Sequence, residues 1–230
     1  LLLSPTGSGK SLIIYALVRW HLLKKRQILI IVPTVSLVEQ LYKDFVEYGW
    51  NVRHYVHKIS AGEEKYVDNP VVISTWQSIY KESKKFFERF DVVIGDEAHL
   101  YKAKSLTGIL TKCYDAKYKV GLTGTLDGME SHQLVLEGLF GRVDRVTNTV
   151  ELMKKGHLTP LKVRCLVLKH GWVPFDHYQQ EMDYLCMHTK RSNFICNLAL
   201  DLEGNTLVLF NYIEKHGEPL WELLNSINKL

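Results

Sequence analysis

The stretch Ser4-Pro-Thr-Gly-Ser-Gly-Lys-Ser11 decides the fold, because it follows a short apolar run and precedes a segment of helical period. Glycine adopts positive φ without strain, so Gly7 and Gly9 allow a turn whose backbone N–H groups converge at a helix N-terminus. This pattern predicts a phosphate-binding loop in which Ser4 replaces the usual first glycine. The other interpretation is a turn that only starts a helix. The predicted nucleotide-binding residues are Pro5, Thr6, Gly7, Ser8, Gly9, Lys10 and Ser11.

Apolar runs of strand length alternate with segments of helical period along the chain. Leu12, Tyr15 and Ala16 have the spacing of a helix with one apolar stripe, and so do the apolar residues of 37–45. Strands separated by helices favour a mostly parallel sheet flanked by helices, which is an α/β fold. The strand-like runs are Leu1–Leu3, Ile28–Val32, Val71–Ile73, Val92–Ile94, Val120–Leu122 and Leu207–Phe210.

Hydroxyl or acidic side chains follow five of these runs. They are Ser4, Thr34 after Pro33, Ser74-Thr75, Asp96-Glu97 and Thr123-Gly-Thr125. The carboxyl ends of parallel strands lie on one edge of a sheet, where ligands bind. The pattern therefore predicts one shared site along that edge.

Asp96 and Glu97 are the predicted acidic half of this site. An Asp at a strand end can hold Mg²⁺ opposite the Ser11 hydroxyl, and the adjacent Glu97 can orient and deprotonate a water in line with the terminal phosphate. By itself, Asp-Glu after a strand also suits a helix start, since acids are stabilised there. Together with the phosphate loop, the pair predicts nucleotide hydrolysis, with Glu97, Asp96 and Lys10 as catalytic residues.

The composition is that of an ordinary globular protein, with 46% hydrophobic and 23% charged residues, which excludes a disordered or fibrous chain. The longest aliphatic run, Ile28–Val32, is far shorter than the roughly 18 residues that cross a bilayer. The net charge of +4 permits a polyanionic partner without requiring one. The chain begins at Leu1 as if inside a strand and ends without a closing element, which indicates a fragment.

The four cysteines are sparse and predict reduced thiols in the cytoplasm. Cys186-x-His188, with Cys196 further on, has a spacing that zinc can use, but no Cys-x-x-Cys pair accompanies it. Core cysteines are the favoured interpretation, and no structural metal is expected.

The phosphate loop, the Asp96-Glu-Ala-His99 tetrad and Leu122-Thr-Gly-Thr125 together resemble a superfamily 2 DEAH-box DNA helicase, in particular the T-even phage UvsW helicase family. Further segments look like helicase motif Ia, a later nucleic-acid motif, an interdomain linker and motif IV. They are residues 33–40, 74–78, 156–160 and 205–217. The resemblance implies a first RecA-like domain without its N-terminal edge, a linker and the truncated beginning of a second RecA-like domain. Their expected bounds are residues 1–150, 151–175 and 176–230.

The resemblance implies two further groups of site residues. One group is expected to couple the nucleotide to movement of the second domain and comprises His99, Thr123 and Thr125. The other is expected to contact the nucleic-acid backbone and comprises Thr34, Thr75 and Gln77. Alternatives exist, because His99 can start a helix, Thr123 can cap a strand end and Thr34 is a common type of helix N-cap. Lys81, Lys84, Lys85 and Arg89 fit a backbone-binding groove or a solvated helix face equally well.

The implied function is that of an ATP-dependent DNA helicase or translocase that uses ATP and Mg²⁺. It would hold the backbone of duplex or branched DNA in recombination, repair or fork processing, in the host cytoplasm if a phage encodes it, without a membrane partner. The alternatives are an RNA helicase or a restriction-system motor subunit and, from another class, a nucleotide-regulated nucleic-acid sensor or scaffold. Motifs V and VI, with an arginine finger, are expected beyond Leu230 and the adenine-reading segment before Leu1. The isolated chain is therefore expected to hydrolyse ATP very poorly.

Overall fold

The computed structural model describes residues 1–60, 62–126, 128–171 and 173–227, in two compact units, Leu1–Leu161 and Lys162–Leu230. The strands of the first unit are β1 (Leu2–Leu3), β2 (Ile28–Val32), β3 (Val56–Ile59), β4 (Val71–Thr75), β5 (Val92–Gly95), β6 (Tyr118–Thr123) and β7 (Asp144–Arg145). They form a seven-stranded sheet in the order β3-β4-β2-β5-β6-β1-β7. Neighbouring strands are parallel throughout. The predicted α/β fold with a mostly parallel sheet is confirmed.

The helices of the first unit connect these strands. They are α1 (Lys10–Leu23), α2 (Val35–Glu47), α3 (Trp76–Ile79), α4 (Lys84–Phe87), α5 (Lys104–Lys112), α6 (Glu130–Phe140) and α7 (Thr149–Lys154), with 3₁₀ turns at Val52–His54 and Ala98–Lys102. The second unit contains α8 (Tyr178–Met187), α9 (Thr189–Asp201), a π-helical turn at Ile213–Gly217 and α10 (Glu218–Ile227). Among the residues described, no helix combines the length and apolar character needed to span a membrane.

Strand β2 shows how the sheet forms the core. All five of its residues are buried. Because successive side chains of a strand point to opposite faces, Ile28 and Ile30 pack with α1 and α2, while Leu29 and Ile31 pack with residues of α4, α5 and α6. A strand that is buried on both faces has a continuous aliphatic sequence, as strands of parallel sheets typically do.

The buried side of α1 differs from the prediction. Leu12 and Ala16 of the predicted stripe are exposed. This helix is apolar almost all round, so the spacing of its apolar residues does not determine which face meets the sheet. In α2 the apolar residues form a single stripe, and Leu41 and Phe45 are buried as predicted. The residues that α1 does bury are Ile14, Val18 and His21.

The predicted strands differ from the structure at three places, since two strands were missed and one predicted strand is absent. Strands β3 and β7 were not predicted, because β3 lies at a sheet edge with two partly exposed residues and both residues of β7 are exposed. The predicted strand Leu207–Phe210 is wrong, since the structure places no strand there. Leu207 and Leu209 are 81% and 83% exposed. A strand needs a neighbour for its backbone hydrogen bonds, and the described residues of the second unit contain no strand that could pair with it.

Two glycines lie side by side in the sheet, where Gly95 of β5 pairs with Gly121 of β6. Tyr101 and Phe140 lie against them, in contact with each other edge to face at a centroid distance of 5.1 Å. A Cβ on Gly121 would come within 2.8 Å of Phe140 Cγ and 2.9 Å of Leu1 Cδ1. The aromatic pair therefore packs directly on the bare backbone of the sheet.

We expect Gly121→Ala to destabilise the first unit by about 1–3 kcal/mol, because the added methyl group overlaps the packed side chains of Phe140 and Leu1. Gly108→Ala in α5 is the matched control, since nothing lies within 4 Å of its added Cβ and alanine is favoured over glycine in a helix by about 0.5–1 kcal/mol. Equilibrium unfolding in urea measures both free energies. Equal values for the two variants would show that the glycine pair is not a packing requirement.

Candidate nucleotide-binding site

The phosphate loop runs from β1 to α1 through two glycines with left-handed backbone conformation. The φ angles are 78° at Gly7 and 84° at Gly9, and Gly9 is the N-cap residue of α1. Glycine adopts such angles without strain. The first N–H groups of a helix have no partner within it, and with the positive end of the helix dipole they form a site for an anion. The predicted loop conformation is therefore present.

Ser4 stabilises the conformation of the loop through hydrogen bonds of its backbone and its hydroxyl. This residue is fully buried, and its N–H donates to the carbonyl of Thr123 at 2.8 Å. The Ser4 and Ser8 hydroxyl oxygens lie 2.6 Å apart, and the Ser8 hydroxyl donates to the Pro5 carbonyl at 2.6 Å. Since Ser8 uses its proton for Pro5, Ser4 donates to Ser8. This chain of hydroxyl groups is a contact that the usual glycine at this position would lack.

The acidic pair lies at the end of β5, beside the loop. The Asp96 N–H donates to the Ile31 carbonyl at 2.9 Å, and its Oδ1 accepts from the Glu97 N–H at 2.9 Å. Burial raises the pKa of the Asp96 carboxyl, and the nearby Lys10 and His99 act in the opposite direction. Glu97 has a φ of 47°, a left-handed conformation that costs a non-glycine residue about 1–2 kcal/mol. Strain of this kind is concentrated at functional sites.

Lys10 lies between the phosphate loop and the end of β6. Its Nζ donates to the Ser4 carbonyl at 3.4 Å. A Cβ on Gly124 would lie 3.4 Å from Lys10 Nζ and 3.6 Å from the Thr6 hydroxyl oxygen. The structure thus gathers the predicted phosphate-binding lysine, the loop threonine and the predicted metal-binding Asp96 at one edge of the sheet.

The three predicted coupling residues are linked through the Thr123 hydroxyl. The Thr123 hydroxyl donates to the Thr125 carbonyl at 2.9 Å, and His99 Nδ1 lies 2.9 Å from the same hydroxyl oxygen. Because Thr123 uses its proton for Thr125, His99 donates to Thr123. His99 Nδ1 also lies 3.3 Å from Glu97 Oε2. The imidazole therefore connects the acidic pair with the end of β6.

Ser11 has a partner that the sequence analysis missed. Its hydroxyl oxygen lies 2.8 Å from that of Tyr48, the residue that caps the C-terminus of α2. The Ser11 hydroxyl would have to rotate away from Tyr48, or interact with both groups, in order to coordinate a cation. No sequence signal could have found this contact, because the two residues are 37 positions apart and neither the motif nor the helical spacing links them.

The predicted nucleic-acid residues lie at the neighbouring ends of β2 and β4. The Thr34 hydroxyl accepts from the Leu37 N–H at 3.3 Å, so this residue is the N-cap of α2. Gln77 is exposed, and its Nε2 donates to the Pro33 carbonyl at 3.4 Å. Thr75 is buried, with its hydroxyl oxygen 2.9 Å from that of Ser78.

Arg89 takes neither of the two predicted roles. Its guanidinium donates to the Val67 carbonyl and, at 2.8 Å, to the Asn69 carbonyl. This side chain therefore holds the loop before β4 in place and belongs neither to a groove nor to a solvated helix face. Helical spacing misassigned it because the segment is broken into the two short helices α3 and α4.

Leu158 lies against the phosphate loop. A Cβ on Gly7 would come within 2.5 Å of Leu158 Cδ2. The Leu158 N–H donates to the Leu152 carbonyl at 3.3 Å, so the chain folds back on α7 and brings this side chain to the loop. The segment after α7 therefore touches the candidate site directly.

Cys186 and Cys196 are buried in the second unit, and the Cys196 thiol donates to the Leu220 carbonyl at 3.7 Å. Across the described part of the chain, no group of three or more His, Cys, Asp or Glu residues is arranged to hold a metal ion.

A parallel sheet with a phosphate loop at one strand end and an Asp-Glu pair at another defines an α/β nucleotide-binding domain of the RecA-like helicase type. The model of the family described as "Type III restriction enzyme, res subunit" matches residues 1–128. The chain belongs to this family, and the superfamily 2 helicase resemblance seen in its motifs is confirmed.

Solved and curated relatives agree with this assignment. The ATP-dependent DNA helicase uvsW of Enterobacteria phage T4 is 33% identical over 96% of this chain and 47% of its own length. A crystal structure of T4 UvsW matches with a TM-score of 0.57 and 29% identity over 98% of this chain and 46% of that one. The Hef helicase domain of Pyrococcus furiosus shares the fold, with a TM-score of 0.57 and 17% identity over 99% of this chain and 50% of that one. The chain spans about half the length of these relatives.

We expect Thr123→Val to destabilise the first unit by about 1 kcal/mol, because it removes the hydrogen bonds that the buried Thr123 hydroxyl makes with the partly exposed His99 imidazole and the Thr125 carbonyl. Thr111→Val is the matched control. The Thr111 hydroxyl also donates to a carbonyl, that of Thr107 at 2.9 Å, but it lies on an exposed helix surface, where a change within about 0.5 kcal/mol is expected. Urea unfolding measures the free energy of unfolding of both variants. A Thr123→Val variant as stable as the control would refute a stabilising role for the hydrogen bonds of the Thr123 hydroxyl.

Proposed function

We propose that this chain is the ATP-binding part of an ATP-dependent DNA helicase or translocase that acts on duplex or branched DNA in recombination, repair or replication-fork processing in the cytoplasm. The observation that supports it most is the convergence of the phosphate loop, the Asp96-Glu97 pair and the His99–Thr123 hydrogen bond at one sheet edge. Family membership and the likeness to a phage DNA helicase support the same function.

The residues at this edge suit a nucleotide with Mg²⁺. A serine hydroxyl and a carboxylate are oxygen ligands, which Mg²⁺ prefers, and Ser11 and Asp96 would hold it. When bound, Mg²⁺ neutralises charge on the phosphates. Burial disfavours the charged form of Asp96, and a cation would offset that cost. The Lys10 ammonium would bind the terminal phosphates, which places their negative charge at the N-terminus of α1.

Glu97 is the proposed general base. The His99 Nδ1–H, which donates to Thr123, also lies 3.3 Å from Glu97 Oε2 and keeps the carboxylate beside the imidazole. A carboxylate held in this way can orient a water and accept its proton during attack on the terminal phosphate. The same imidazole binds Thr123, so a change at the acidic pair reaches the end of β6 through a single side chain. This connection supports the proposed coupling role of His99, Thr123 and Thr125.

The proposed DNA contact uses the ends of β2 and β4. Thr34 and Gln77 are exposed there, whereas Thr75 has to release Ser78 before it can reach a phosphate. Contacts to phosphates position a protein without reading sequence, as a motor that moves along any DNA requires. The motor subunit of a restriction system is a second candidate, since the matching family carries that description.

Steady-state ATP hydrolysis by the full-length gene product tests the substrate class. The rate is measured without nucleic acid and with branched DNA, linear duplex DNA or RNA. Strong stimulation by branched or duplex DNA supports the proposal, and the ratio between these two identifies the preferred form. Stimulation by RNA alone would assign the chain to RNA helicases, and a flat low rate with intact ATP binding would favour a sensor. Cleavage of the duplex together with ATP hydrolysis would favour the restriction motor.

We expect Glu97→Gln to keep ATP binding and to lower turnover by about two orders of magnitude or more, because it removes the general base. Glu39→Gln is the control, since Glu39 pairs with Lys58 at 2.7 Å on the surface and belongs to no part of the site. Both variants are made in the full-length gene product, where ATP binding is followed by fluorescence of a labelled ATP and turnover by phosphate release. Undiminished turnover in Glu97→Gln would remove the role assigned to Glu97.

A further inference from the structure

Tyr101 is a buried phenol whose hydroxyl lacks a partner. The residue is 1% exposed, and among the described residues its hydroxyl has no hydrogen-bond partner. Burial of a hydroxyl without a partner costs about 1–3 kcal/mol. A phenylalanine would fill the same space, pack on Phe140 and Gly95 in the same way and avoid that cost. Packing alone therefore gives no reason for the hydroxyl.

The hydroxyl lies next to the backbone that carries Asp96. A Cβ on Gly95, the residue before Asp96, would lie 2.8 Å from the Tyr101 hydroxyl oxygen. Tyr101 and Asp96 also line the same cleft, which is too narrow to admit a water and is bounded by Pro33 and Trp76 after the ends of β2 and β4. Of the described side chains that line this cleft, Asp96 alone is a carboxylate.

The chemistry of the two groups is complementary. Burial and the charge of Asp96 raise the pKa of the Tyr101 phenol, so it stays protonated and is a hydrogen-bond donor. The Asp96 Oδ1 accepts from the Glu97 N–H, which leaves Oδ2 to accept from a second donor. A carboxylate turned towards the cleft would accept a hydrogen bond from the Tyr101 hydroxyl.

We propose that Tyr101 is a positioning residue for Asp96, whose hydroxyl donates a hydrogen bond to the carboxylate and fixes the oxygen that faces Mg²⁺. This inference rests on the proposed function, because it takes Asp96 as a ligand of Mg²⁺. The Tyr101 hydroxyl would then lower the stability of the free protein and raise its affinity for Mg²⁺ with nucleotide. Burial of the hydroxyl without a partner destabilises the fold. Formation of its hydrogen bond to Asp96 on cation binding offsets this cost. Part of the affinity for Mg²⁺ with nucleotide comes from this hydrogen bond.

Tyr101→Phe removes only the hydroxyl, and Tyr118→Phe is its matched control. The Tyr118 hydroxyl accepts from Arg26 at 2.8 Å, and Tyr118 lies at the opposite end of β6 from Thr123. Two quantities are measured on the full-length gene product. They are the free energy of unfolding in urea and the Mg²⁺ concentration that gives half-maximal binding of a fluorescent ATP analogue.

For Tyr101→Phe we expect a protein at least as stable as the wild type that needs about tenfold more Mg²⁺, since a hydrogen bond to a charged acceptor is lost. For Tyr118→Phe we expect lower stability and an unchanged Mg²⁺ requirement. An unchanged Mg²⁺ requirement in Tyr101→Phe, with or without a loss of stability, overturns the positioning role alone. A wild-type protein that binds the analogue without any dependence on Mg²⁺ overturns the proposed function of Asp96 and this inference with it.

Discussion

The register of the parallel strands is the constraint on which the candidate site depends. Ile31 pairs with Gly95 and Gly95 with Gly121, while Leu3 pairs with Thr123 on the far side. A slip of one residue in any strand would turn its last side chain to the opposite face and move it by about 3.3 Å. Asp96 would then lose Lys10, or Thr123 would lose His99. The aliphatic core that fixes the register therefore also fixes the chemistry at the edge.

The costs in this structure are concentrated at the same edge. Glu97 has a left-handed backbone, Asp96 is a partly buried carboxylate whose pKa is raised by burial, and Tyr101 has a buried hydroxyl without a partner among the described residues. Each is unfavourable by itself, and each persists because the surrounding sheet is buried on both faces and cannot relax around it. All three surround the position where a cation and a phosphate would bring compensating charge. The stable core of the sheet thus maintains the unfavourable features at its edge.

Much of this arrangement could be predicted from the sequence, because strong local signals carry it. The strand Ile28–Val32 is a continuous aliphatic run, and the phosphate loop requires glycine at fixed positions, so both can be predicted without a structure. The buried face of α1 could not be predicted, since a helix that is apolar all round has no single apolar stripe. Leu207–Phe210 failed for a different reason, because strand formation depends on a partner that lies elsewhere in the chain. Tyr48 and Leu158 were missed because long-range packing, which no short motif records, brings them to the site. Tyr101 follows Asp96 closely in the sequence, but no motif distinguishes it from an ordinary core aromatic residue.

The contact between Leu158 and Gly7 has a mechanical consequence. Leu158 meets the loop through one methyl group, and the chain continues from it through Pro160 towards the second unit. Movement of this segment that presses Leu158 against Gly7 would reach the phosphate loop through van der Waals contact, without passing through the sheet. Such a contact transmits compression and yields under tension. Displacement of the chain beyond α7 would therefore shift the phosphate loop when it pushes Leu158 inwards, and would leave the loop unaffected when it draws Leu158 away.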